Sequence, residues 1–81
     1  MDYDVLEARS LGGYRVWLRF QDGTEGEIEL ESRLWGPVFE PIKNLDLFRQ
    51  FRVDPISQTL VWPNGADLAP ETLHDLVRAI P

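Results

Sequence analysis

The chain contains no cysteine. That absence excludes disulfide staples, thiolate metal sites and cysteine nucleophiles together, and it suits a reducing compartment. There is one histidine, so no histidine cluster can be assembled. No apolar run approaches the roughly 20 residues that a membrane-spanning helix needs. The start, Met1-Asp2-Tyr3-Asp4, lacks the basic residues and apolar stretch of a secretory signal. The expected compartment is the cytoplasm, with no membrane partner. Positive charge is scarce too: 8 lysines and arginines stand against 14 aspartates and glutamates, a formal net charge of −6. That sign repels nucleic-acid phosphates and anionic lipid alike. We therefore expect no direct nucleic-acid binding by this chain alone. Acidity keeps a small protein soluble, and it also favours a basic protein as partner.

What is present suffices for a fold. In 81 residues there is room for one domain, 1–81, and a 43% hydrophobic content with three tryptophans, two tyrosines and four phenylalanines can fill a core. Between Tyr14 and Phe20 the residue types alternate, as do Gly26, Ile28 and Leu30 against Glu25, Glu27 and Glu29; both runs read as half-buried strands. Parity decides the loop between them, because directly opposed residues of an antiparallel pair share a face. A two-residue loop would set Leu18 against Glu27, placing a carboxylate on the core side. A three-residue loop, Gln21-Asp22-Gly23, with Gly23 at positive φ, instead pairs Val16 with Ile28 and Tyr14 with Leu30. It sets Arg19 opposite Glu25 and Arg15 opposite Glu29, and this register is the expectation.

A further strand is expected over 3–10, ended by Gly12-Gly13. The stretch 31–35 allows one helical turn, but Gly36-Pro37 and Pro41 favour a surface connection. A short helix is expected over 46–50. A second hairpin follows, with strands at 51–53 and 59–62 around Asp54-Pro55. Pro63-Asn64-Gly65 forces a turn. The last helix begins at Pro70, a residue suited to the first helical position, and Leu73, Leu76, Val77 and Ile80 form its apolar face. The expected fold is α+β: a mainly antiparallel sheet of two hairpins plus an N-terminal strand, packed against a C-terminal amphipathic helix.

Little in the sequence offers chemistry. Phosphate-cradling glycine loops, the serine elbow and the paired-histidine zinc helix are absent. His74 reads as a surface residue flanking the apolar stripe, with no nucleophile at a recognisable spacing. Glu25, Glu27 and Glu29 alternate along a strand, where successive carboxylates lie about 6.6 Å apart and do not converge on a cation; ion pairs with Arg15 and Arg19 account for them. No metal, cofactor or catalytic residue is expected, and the chain reads as a non-enzyme. Trp62 reads as core, while Trp35 is ambiguous. Trp17 shares a sheet face with Arg15, Arg19, Glu25 and Glu27, a composition that marks a partner-binding face if the ring is open to solvent. The competing reading has residues 31–45 folded over it.

Together, Phe20-Gln21-Asp22-Gly23, Phe48 before a short strand, and the run Trp62-Pro63-Asn64-Gly65-Ala66-Asp67-Leu68 leading to Leu73 resemble the small bacterial proteins of domain of unknown function 2442. The similarity covers nearly the whole chain. Its motif residues, Phe20, Asp22, Gly23, Trp62, Asn64, Gly65, Asp67 and Leu68, are structural by their chemistry: Asn64-Gly65 supplies a turn, Asp67 can face the positive end of the last helix, and Leu68 anchors the helix start. Members of that family have no established activity. Some continue into a helix-turn-helix domain, and others stand alone beside a second small gene in arrangements resembling toxin and antitoxin pairs. No helix-turn-helix extension is seen in the residues up to Pro81, so no DNA-binding role is expected from the resemblance. His74 stands where the family pattern expects tyrosine. The resemblance implies a non-catalytic protein-binding module, antitoxin-like or the accessory half of a bacterial two-protein system. The alternative is a small regulatory domain that senses a ligand or self-associates.

Overall fold

A computed structural model describes residues 3–78. Three strands form an antiparallel meander in the order β1 (Val5–Ser10), β2 (Arg15–Phe20) and β3 (Glu25–Glu29). Val16 faces Ile28, Leu18 faces Gly26, and Arg15 and Arg19 oppose Glu29 and Glu25. The parity argument therefore holds, and Gly23 sits at φ +88° in a loop of three residues closed by Gly23 N–H donating to the Phe20 carbonyl. Between Val5 and Glu7 the β1–β2 register slips by one. Leu6 is the extra residue of that bulge.

Past β3 the chain makes two 3-10 turns, Glu31–Arg33 and Glu40–Lys43, before the short helix α1 (Leu45–Phe48). Asn44 caps α1 by accepting from the Asp46 and Leu47 amides, which satisfies donors that a helix start leaves open. The connection is thus only partly a surface one: Leu34 and Ile42 are buried in the core. The second hairpin, β4 (Arg52–Val53) and β5 (Leu60–Val61), is a two-stranded sheet of its own. It joins the first sheet through Val5 N–H donating to the Gln58 carbonyl at 2.9 Å. Asp54 holds its turn by accepting from the Ile56 and Ser57 amides. Gly65 closes the next turn at φ +88°, and Asn64 Oδ1 accepts from the Ala66 amide.

The final helix, α2 (Pro70–Arg78), starts at the expected proline and buries Leu73 and Val77; Ile80 lies outside the described residues. The core takes one face of the first sheet, through Val16, Leu18, Phe20, Ile28 and Leu30, and extends to Phe48, Leu60 and Trp62. Around Trp62 the rings of Phe39, Phe48 and Phe51 lie at centroid distances of 5.8–6.4 Å, spacings at which tilted and edge-on aromatic pairs attract. The indole Nε1 donates to the Phe48 carbonyl at 2.8 Å, so the buried ring leaves no polar atom unpaired.

Candidate functional site

Alternation sends Arg15, Trp17 and Arg19 of β2 to the face opposite the core, and the register places Glu25, Glu27 and Glu29 of β3 beside them. All five residues nominated from the sequence, Arg15, Trp17, Arg19, Glu25 and Glu27, therefore lie together. The structure adds two from β1. Glu7 pairs with Arg19 and Arg9 pairs with Trp17 across β1 and β2, and neither was found by sequence reasoning. The bulge at Leu6 is the reason: without it, Glu7 and Arg9 would share the inward face of Val5.

Ion pairing on this face departs from the direct β2–β3 opposition: one pair runs diagonally, one crosses to β1, and one lies along β1. Arg15 binds Glu27, not Glu29. Arg19 binds Glu7 at 3.2 Å, not Glu25. Arg9 also binds Glu7, at 2.7 Å, and its guanidinium lies 5.3 Å from the Trp17 ring centroid, within the range of a cation–π contact. Hydrogen bonds from Arg9 first and Arg19 second hold the Glu7 carboxyl below its ordinary value. All three arginines of the face are thereby engaged by Glu7 and Glu27. Glu25 and Glu29 have no arginine partner among the described residues, and both are exposed.

Trp17 itself is half-buried. Of residues 31–45, Leu34 and Ile42 go into the core, on the side of the sheet opposite Trp17. Arg9 lies over one side of its ring. Trp35, by contrast, is 72% exposed on the connection after β3, and Trp62 is core as expected.

The motif residues are structural where their contacts can be followed. Phe20 is buried. Asp22 accepts from the Thr24 amide at 2.9 Å, and the His74 ring lies 2.8 Å from its other oxygen. His74 is not the flanking surface residue expected from the helical wheel. It is 2% exposed, its ring tilted against Tyr3 with centroids 4.4 Å apart and set edge-on to Phe20 at 5.0 Å. The helical wheel placed it beside the apolar stripe but could not show that the hairpin loop closes over it. Asn64 Nδ2 donates to the Val38 carbonyl at 2.8 Å, tying the Asn-Gly turn to the connection after β3. Asp67 is exposed and its backbone bridges to Val61, while its carboxylate makes no hydrogen bond among the described residues. Leu68 packs on the core.

No cavity opens among the described residues, and no three metal-ligating side chains converge there. No helix among them is long and apolar enough to cross a membrane. The arrangement is a surface with a ring at its centre, ion-paired charges around the ring and, along one border, carboxylates without an arginine partner. Comparison with known proteins gives a match over residues 5–79 to a family model described as Protein of unknown function (DUF2442). No curated protein and no solved structure matches the chain.

Proposed function

The chain belongs to the DUF2442 family of proteins of unknown function, and from that premise we propose that it is a non-catalytic protein-binding module whose outer sheet face receives a small basic protein. It is the antitoxin-like or accessory half of a bacterial two-protein system. One observation carries the reading: around Trp17 the arginines are used up by Glu7 and Glu27, leaving Glu25 and Glu29 as exposed charge with no arginine partner among the described residues, Glu29 accepting only from the Glu31 amide. A half-sheltered indole framed by ion pairs has the composition of an interface hot spot. These two carboxylates are part of the chain's net charge of −6 and steer a basic partner toward this face.

The test is to establish whether a small basic protein is encoded beside the gene and to co-express the two. The wild-type chain co-purifies with it, and Trp17→Ala, still folded by thermal melting, does not. Failure of the two proteins to associate, or association unaffected by Trp17→Ala, refutes the reading.

A further inference from the structure

β3 is the edge of its sheet, hydrogen-bonded to β2 on one side and to no strand on the other among the described residues. Which backbone groups it leaves free can be worked out. In an antiparallel ladder, residues alternate between those that exchange hydrogen bonds with the partner strand and those that point the other way. Phe20 N–H donates to the Thr24 carbonyl and Leu30 N–H to the Tyr14 carbonyl. Even-numbered residues from Thr24 to Leu30 are therefore the ones bonded to β2. The odd-numbered ones, Glu25, Glu27 and Glu29, turn their N–H and C=O groups outward.

The same three residues carry the acidic side chains of the outer face, all exposed. The intervening Gly26 and Ile28 point to the core side, where Val77 of α2 closes on Gly26.

We infer that the β3 edge accepts an extended segment of the partner as a fourth strand, one that alternates basic and apolar residues. This rests on the protein-binding reading above and names its mode. An added antiparallel strand makes its hydrogen-bonded pairs with Glu25, Glu27 and Glu29, so the residues opposite them share their face. Three carboxylates in a row select lysine or arginine at those positions. Positions between them fall on the core side, beside Gly26 and Ile28, and take apolar side chains.

A second copy of β3 does not fit. Antiparallel pairing through the outward groups can set only glutamate opposite glutamate, in any register, and like charges directly opposed are unfavourable. The acidic row thus blocks edge-to-edge self-association, a recognised protection of exposed strands, while leaving the edge open to a strand of opposite sign.

The experiment uses the full chain and a synthetic peptide of about seven residues alternating lysine and valine, a length that spans β3. Amide exchange and chemical shifts are followed by NMR. In the free chain the Glu25, Glu27 and Glu29 amides exchange fast and those of Gly26 and Ile28 slowly. On addition of the peptide, the three glutamate amides become protected in a saturable way. Glu25→Lys, at a position with no arginine partner to lose, weakens binding about three- to tenfold, and Glu27→Lys does the same. A peptide with glutamate for lysine does not bind, nor does one N-methylated at alternate amides.

Unprotected glutamate amides, or equal binding by the N-methylated peptide, overturn the inference. So does a dimer of the chain alone, seen by sedimentation, that protects the same amides. The two readings fail separately. A neighbouring-gene protein that co-purifies yet leaves these amides unprotected removes the edge mode and keeps the binding module. A peptide that protects them when no protein co-purifies does the reverse.

Discussion

His74 Nε2 donates to Asp22 Oδ2 across 2.8 Å, joining the last helix to the loop of the first hairpin, 52 residues away in sequence. The bond closes a small aromatic site in which the imidazole lies between Tyr3 and Phe20. Since the ring is 2% exposed, His74→Ala empties a packed position and leaves Asp22 without its partner. We expect a loss of about 2–4 kcal/mol in urea unfolding. Asp22→Ala costs less, because Asp22 is the more open of the two. The double variant loses less than the two single losses added together, since either change removes the shared bond. Additive losses would show that the pair is not coupled.

Three carboxyls are held below their ordinary values. For Asp22 the main cause is the Thr24 amide, with His74 adding to it; for Asp54 it is the Ser57 amide; for Glu7 it is the hydrogen bond from Arg9. A depressed carboxyl binds its proton less readily in the folded chain than in the unfolded one. Its stabilisation is therefore complete above the ordinary values, 3.8 for aspartate and 4.5 for glutamate, and is lost as pH falls through the lower folded values. Melting temperatures measured from pH 7 downward should hold until about pH 5 and then fall. Asp22→Asn and Asp54→Asn should each flatten that fall. An unchanged slope in both variants would place the acid sensitivity elsewhere.

The three tryptophans separate by role. Trp62→Ala removes the centre of the Phe39, Phe48 and Phe51 cluster and strands the Phe48 carbonyl, costing about 3–5 kcal/mol. Trp17→Ala costs about 1 kcal/mol, because the ring rests on a solvent-facing sheet, and Trp35→Ala stays within about 0.5 kcal/mol. Chemical denaturation of the three variants ranks them in that order. If Trp17→Ala is as damaging as Trp62→Ala, Trp17 belongs to the core and the proposed binding face is lost.

Much of the architecture could be read locally. Parity excluded the one-residue slips of the β2–β3 register, each of which buries a glutamate, and Gly23 in the loop fixed the rest. Pro70 and the spacing of Leu73 and Val77 marked the last helix. The five nominated face residues came together for the same reason that the register did. What escaped was long-range. Glu7 and Arg9 reach the outer face only through the bulge at Leu6, and no residue type announces a bulge there. Two of the expected ion pairs gave way to others because arginine reaches diagonally, and because β1 brought Glu7 into competition with Glu25. His74 was misplaced because burial on the flank of a helix depends on what folds over it, here a loop 52 residues earlier.

Gly26 shows the same limit and supports a sharper test. In the alternation it is simply an inward-facing strand position, where valine is normally favoured over glycine. Its backbone needs no positive φ, so conformation alone permits a side chain. The obstacle is α2: a Cβ added at Gly26 would lie 3.0 Å from Val77 Cγ1, closer than carbon atoms pack comfortably. Gly26→Ala should therefore cost about 1 kcal/mol and Gly26→Val about 2–3 kcal/mol, by pushing the helix off the strand. Gly23→Ala should also cost about 1 kcal/mol, for a different reason: nothing lies within 4 Å of its added Cβ, but its φ of +88° is strained for any other residue. The two causes are separable by a second change. In a Val77→Ala background, where room has been made, the cost of Gly26→Ala should nearly vanish while that of Gly23→Ala is unchanged. Equal costs for Gly26→Ala in both backgrounds, measured by denaturant unfolding, would show that the close approach of helix and strand is not what keeps glycine at this position.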